Sequence, residues 1–337
     1  ADAYMIFMKR LSLLFIFCLA AVVGALALPS DAHAWGPGVH MVTANWLLQN
    51  LGVLPAAVAA VIMQHPGSFI HGVLSADIFI GKGCKAKRGH SHNWDSGFAL
   101  LDRADTSPRK AYAYGYLCHL AADIVAHNVY VPGLFHTLPG RGKTAHVYLE
   151  IQADRLISWD SSDALHCFHG KNSSKSLSML RRSMNKQALT FWIHTQLFQG
   201  SIAVGGSKLW RGSMRVLDSL LKQHERAALL DYLLVLSTRA MVDVLQKGTD
   251  SPLVSLDPIG AEALAAAQAC GREPSSSGLR KRIAQKVNRE MSRILGRRKK
   301  ELCAPGQRPG VDSLAYLSVP VPSILKTLSA VCVKETQ

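Results

Sequence analysis

An all-α fold is what this sequence predicts, and three observations carry that expectation. Alternating apolar and polar runs of the strand type are nearly absent. Apolar residues recur at helical spacing in segment after segment from Trp35 to Gln246. An Ala-rich apolar run, Tyr116 to Val131, contains neither Pro nor Gly. With 337 residues, 48% hydrophobic content and a mean hydropathy of +0.11, the chain can bury a large core and is not a disordered polymer. Its 38 Lys and Arg against 23 Asp and Glu give a net charge of +15. Such a surface favours anionic partners: phosphate-bearing substrates, anionic lipid or nucleic acid.

The N-terminus reads as an export signal spanning residues 1–34. Met8-Lys9-Arg10 supplies the positive flank, Leu13 to Leu28 the apolar run, and Ala32-His33-Ala34 a small-residue cleavage site. Cleavage there starts the mature chain at Trp35 and places it in the periplasm or outside the cell. An uncleaved membrane anchor is the alternative, because the run is only slightly short of spanning length.

From Trp35 onward, helices are expected at Val42–Leu51 and at Leu54–Met63, the latter stopped by His65-Pro66-Gly67. A loop rich in Gly, Lys and His follows from Gly81 to His92. Trp94–Arg103 reads as helix, and Thr106-Ser107-Pro108 breaks it before the central run. Pro132-Gly133 and Pro139 to Gly142 bracket the next connection, ahead of a helix at Thr144–Trp159. The polar stretch Ser161–Ser178 reads as loop. Helices resume at Gln187–Phe198, Ser213–Gln223 and Ala227–Gln246. Ser275 to Gly278 is linker-like, and a basic helical C-terminal extension, residues 271–337, follows. Within it, Arg280–Lys300 holds ten Lys and Arg against one Glu, with Ile283, Val287, Met291 and Ile294 on one face.

Of the seven cysteines, Cys18 leaves with the signal. The remainder, Cys84, Cys118, Cys167, Cys270, Cys303 and Cys332, permit disulfides after export but include no CxxC pair, so a thiolate zinc site is not expected.

The chemistry concentrates in the histidines, nine of whose fourteen lie between His40 and His146. His119, Asp123 and His127 recur every four residues on the central run and should share a helical stripe. His146-Val-Tyr-Leu-Glu150 repeats the His-x-x-x-carboxylate pattern on the next helix. Neutral imidazole and carboxylate are the usual non-thiolate ligands of zinc, and a buried Asp123 needs such compensation. His65, His71 and His90 are expected to be surface or loop residues, and His166 and His169 to flank Cys167 in the polar loop.

These residues resemble the zinc-dependent phospholipase C family, which is related to the P1/S1 single-strand nucleases. The resemblance runs in order through Trp35-Gly-Pro-Gly-Val-His40, Ser75-Ala-Asp77-Ile, Ser91-His92-Asn-Trp94-Asp, Tyr114-Gly-Tyr-Leu-Cys-His119-Leu-Ala-Ala-Asp123-Ile-Val-Ala-His127-Asn and His146-Val-Tyr-Leu-Glu150. It implies a catalytic domain over residues 35–270 and three zinc ions. One ion would be held by His92, His119 and Asp123. A second would be held by His127, His146 and Glu150, with His136 the alternative to His127 because the Asp123–His127 spacing is shorter than the family pattern. The third would take the free α-amine and carbonyl of Trp35, His40 and the other oxygen of Asp123. Asp77 would be the general base and not a permanent ligand. The resemblance further implies a monomer that hydrolyses phospholipid to diacylglycerol and a phosphorylated headgroup. A single-strand nuclease, and an exported zinc- or membrane-binding protein without catalysis, are the alternatives.

Overall fold

The computed structural model describes residues 35–79, 90–134, 143–207, 210–212 and 227–270. The signal segment, the middle of the Gly/Lys/His loop, His136, the helix expected at Ser213–Gln223 and the basic extension lie outside these residues. Among those described, every regular element is a helix.

In chain order the helices are α1 (Pro37–Gln49), α2 (Ala56–Gln64), α3 (Pro66–Ser75), α4 (Trp94–Asp102), α5 (Ser107–Val125), α6 (Val131–Leu134), α7 (Lys143–Leu156), α8 (Ser161–Phe168), α9 (Ser173–Ser183), α10 (Ala188–Gly205), α11 (Ala227–Lys247) and α12 (Ala261–Cys270). A 3-10 turn, Ala76–Ile78, extends α3, and one π-helical turn, Ala126–Tyr130, joins α5 to α6. No single described helix is long and apolar enough to cross a membrane.

Helix α5 is the hub. From Ala111 to Val125 every residue but Tyr114 is buried, as expected of a helix apolar on all sides. It packs against α3, α4 and α11, and α1 lies across α3, α7 and α11. The result is helix layered on helix around one core.

Three boundaries differ from the sequence expectation. Pro66 does not merely stop α2; it opens α3, because proline's fixed φ and missing N–H suit a first helical turn. Pro108 does the same for α5, which therefore begins at Ser107 and not near Tyr116. The stretch 161–178, read as loop, forms α8 and the start of α9. Asp160 caps α8 by accepting from the Ser162 amide at 2.7 Å, and only narrow stripes (Ala164 and Phe168; Ser173, Ser176, Met179 and Leu180) are buried. Stripes that narrow leave a mostly polar sequence that resembles a loop.

Two glycines let α3 and α5 cross at backbone contact. A Cβ on Gly72 would lie 1.9 Å from the Tyr112 carbonyl oxygen, and one on Gly115 would lie 2.0 Å from the Phe69 carbonyl oxygen. Both obstacles are main chain and cannot swing aside. Gly115→Ala should therefore cost about 1–3 kcal/mol through overpacking, read as a lower urea midpoint. Gly200→Ala is the control: it sits inside α10 with nothing within 4 Å of its added Cβ, and should stabilise by about 0.5–1 kcal/mol.

Candidate metal centre

Each donor is delivered by a different piece of local structure. His40 rides on α1, Asp77 on the 3-10 turn after α3, His92 on the turn before α4, and His119 and Asp123 one turn apart on α5. All five are buried. His92 Nε2 lies 3.1 Å from His119 Nε2, 3.2 Å from Asp123 Oδ2 and 3.2 Å from Asp77 Oδ1. His119 Nε2 lies 3.2 Å from Asp123 Oδ2 and 3.5 Å from Asp77 Oδ1. On the other side of the carboxylate, His40 Nε2 is 3.3 Å from Asp123 Oδ1, and its ring stacks on His119 at 4.0 Å.

These separations test the fit to zinc. Ligand atoms about 2.0–2.2 Å from a tetrahedral ion lie roughly 3.3–3.6 Å from one another. Five edges of the four-atom set His92, His119, Asp77 and Asp123 come close to that value. Both Asp123 oxygens and both His40 nitrogens are buried without a hydrogen bond of ordinary geometry among the described residues. Donors that converge on one point without bonding each other well are arranged for a cation, and the imidazole–carboxylate set fits zinc. Two groups of three could each hold an ion: His92, His119 and Asp123, and His40, Asp77 and His119.

The surrounding hydrogen bonds fix which nitrogen faces the centre. His119 Nδ1 donates to the Val73 carbonyl at 2.8 Å, leaving the lone pair on Nε2. His92 Nδ1 pairs with the Ser91 hydroxyl at 3.1 Å, and the Tyr116 hydroxyl donates to the Ser91 carbonyl at 2.6 Å. Sequence reasoning missed Ser91, Tyr116 and Val73, since a carbonyl or hydroxyl beside a histidine carries no pattern of its own.

His127 lies in the π-turn, where the helical register departs from the four-residue spacing expected of the stripe. Its Nδ1 donates to the Pro258 carbonyl at 2.5 Å, which sets Nε2 as the lone-pair nitrogen. Glu150 is buried on α7, and the Tyr130 hydroxyl ties the π-turn to that helix through the Leu149 carbonyl at 2.9 Å. Neither His127 nor Glu150 enters the two groups just named. The His146 side chain lies outside the description, so the second ligand set is not assembled here. Trp35 is fully buried, donates Nε1–H to the Ala122 carbonyl at 3.0 Å and stacks on Tyr130 at 4.7 Å. The residue expected to end the mature chain is thus anchored one position from Asp123.

Of the histidines expected at the surface or in loops, His71 is buried on α3, and His90 lies in the loop before α4 but is buried there. His71 sits between Tyr112 and Phe168, where burial pushes its pKa down to about 3 and keeps it neutral. His90 closes the turn before α4 by accepting from the His92 amide at 3.1 Å. Cys118, beside His119 in sequence, is a buried thiol whose pKa burial raises well above the ordinary range, so it supplies no thiolate. Asp154 also escaped notice, although it lies four residues beyond Glu150 on the same helix. Its two oxygens accept from the Gly38 and Val39 amides, each at 2.9 Å, and so cap α1 from across the fold. Burial raises its pKa to about 7 despite those two donors.

The fold and centre define an all-helical protein with a buried imidazole–carboxylate metal cluster. The model of the zinc-dependent phospholipase C family matches residues 39–201, from α1 into α10. Neither a curated protein nor a solved structure matches the chain.

Electrostatics of the metal-free cluster gives a pH-dependent expectation. Burial would lower the His92 pKa, but the Asp123 and Asp77 carboxylates outweigh it and raise it to about 10. A raised histidine pKa means that the charged pair stabilises the metal-free fold fully below the unfolded pKa, and that this is lost as pH rises through about 10. Zinc needs the neutral ring, so its uptake near neutral pH should expel the His92 proton. Apparent zinc affinity, measured by competition with a chelating dye, should then climb roughly tenfold per pH unit between about pH 6 and 8. A flat profile would show that no proton is displaced.

Proposed function

We propose that this protein is a zinc-dependent phosphodiesterase that cleaves phospholipids to diacylglycerol and a phosphorylated headgroup. The family match over residues 39–201 supports the phospholipase C class. The observation that carries the chemistry is Asp123, a fully buried carboxylate with His92 and His119 at one oxygen and His40 at the other. Such a carboxylate can serve two cations at once, and a pair of cations suits the two oxygens exchanged at a phosphorus centre.

Zinc supplies, when bound, Lewis acidity toward phosphoryl oxygens and toward water. The chain's own part is positioning and charge. Asp123 is kept ionised, since His119, His40 and His92 overcome the effect of burial and hold its pKa well below the carboxylate range. Burial excludes bulk water, so charges within the cluster interact more strongly than at a surface. His119 and His92 are held in orientation by Val73 and Ser91, which limits the rearrangement needed during reaction. Asp77, expected to stand off as a base, has Oδ1 at ligand-like distance from both His92 and His119. We therefore assign it to the donor set as well as to proton handling.

Export and processing belong to the same reading. Cleavage before Trp35 would free an α-amine beside a side chain already anchored next to Asp123, while retention of Ala34 would leave an amide, a poor donor. Sequencing the exported protein should give Trp35 as its first residue; any other start removes the α-amine from the ligand set.

The activity is tested by offering mature protein and zinc phosphatidylcholine and single-stranded DNA in parallel. Lipid hydrolysis that chelation abolishes and zinc restores is expected, and turnover on DNA alone would replace this reading with the nuclease. Asp77→Ala should lose roughly a hundredfold in rate and also bind zinc more weakly. Full retention of zinc in that variant would return Asp77 to a purely basic role.

A further inference from the structure

Helix α10 carries two apolar faces, and the core uses only one. Phe191, Thr195, Phe198 and Ile202 are buried, with Phe191 against Phe79 at 5.5 Å and Phe198 against Phe168 at 6.0 Å. On the opposite side Leu189, Trp192, Ile193, Leu197 and Val204 are exposed, Trp192 to 59%. A contiguous exposed row of this kind on an 18-residue helix marks an interaction surface.

Three features point to the same occupant. The helix packs its buried face on the 3-10 turn that carries Asp77, so the exposed row lies one helix away from the metal centre. The stretch 164–217 contains eight Lys and Arg and no Asp or Glu, and Arg182 is exposed just before the helix with Lys186 partly so. A tryptophan-bearing apolar row rimmed by cations complements an anionic lipid surface, with apolar side chains entering the acyl region and cations meeting the headgroups. A second copy is a poor occupant, because two chains of net charge +15 repel. Nucleic acid is another, since leucine, isoleucine and valine offer its phosphates nothing.

We infer that the outer face of α10 is the surface by which the protein docks on anionic bilayers, holding the metal centre one helix away from the lipid. The inference rests on the lipid-diester reading for its purpose, but not for its test. Full-length mature protein is floated with vesicles of phosphatidylcholine containing phosphatidylglycerol. Trp192→Gln with Leu197→Gln should weaken vesicle binding about tenfold or more, and leave thermal unfolding and hydrolysis of a monomeric short-chain phosphatidylcholine unchanged. Arg182→Glu with Lys186→Glu should remove the preference for phosphatidylglycerol and spare the apolar contribution.

Vesicle binding through this face without lipid hydrolysis would support docking while sinking the phospholipase reading. Wild-type protein that ignores the vesicles would overturn docking, as would apolar variants that float equally well. A dimer dissolved by the same apolar substitutions would also overturn it, in favour of a second copy.

Discussion

A carboxylate buried on the central helix is the constraint on which the rest of this structure depends. Asp123 has no exposure at all, and an uncompensated charge there would cost several kcal/mol. The fold answers by bringing imidazoles from three separate elements to within 3.2–3.3 Å of its two oxygens. Each of those elements is held by something else. Asp154 caps the helix that delivers His40, Val73 orients His119, and Ser91 and Tyr116 fix the turn that delivers His92. The glycine crossing of α3 and α5 matters for the same reason, because Val73 reaches His119 only while those helices touch at backbone distance. Packing and chemistry are therefore coupled at one point: what separates the helices also disorients a ligand.

The cluster explains why polar groups in this core tolerate each other. Imidazole and carboxylate edges of 3.1–3.5 Å are too crowded for independent charges and suit shared coordination. Without a cation, a proton on His92 fills part of that role. The same balance makes the site selective about protonation, since Asp123 and Asp77 raise the His92 pKa while His119, His40 and His92 hold the Asp123 pKa down.

Much of this was legible in the sequence because it is written in short-range spacing. His119 and Asp123 lie four apart on an apolar run, and that spacing alone brings their side chains together on a helix. His40 and Asp77 were reachable only through family resemblance, as their approach to Asp123 depends on long-range packing. What stayed hidden was backbone and context. The carbonyls of Val73 and Pro258 leave no trace in a residue pattern, and the narrow buried stripes of α8 and α9 look like loop. The π-turn at Ala126–Tyr130 was hidden too. It contains no Pro or Gly, and the carbonyls of Pro258 and Asp257 grip His127 and Asn128 within it.

That grip comes from outside the family-matched span. The match ends at residue 201, inside α10. Yet α11 packs along α5, and the segment after it reaches the start of α4 once and the π-turn twice. Trp94 Nε1 donates to the Leu256 carbonyl at 2.9 Å, Asn128 Nδ2 to the Asp257 carbonyl at 3.1 Å, and His127 Nδ1 to the Pro258 carbonyl. Gly260 closes the segment at φ +62°, and a Cβ there would meet the His127 carbonyl oxygen at 2.6 Å, so this position needs glycine for conformation and for space alike. A lone imidazole on a π-turn could adopt either tautomer. One clamped by a carbonyl from 131 residues away presents only Nε2. The residues beyond the family match thus decide which nitrogen His127 offers.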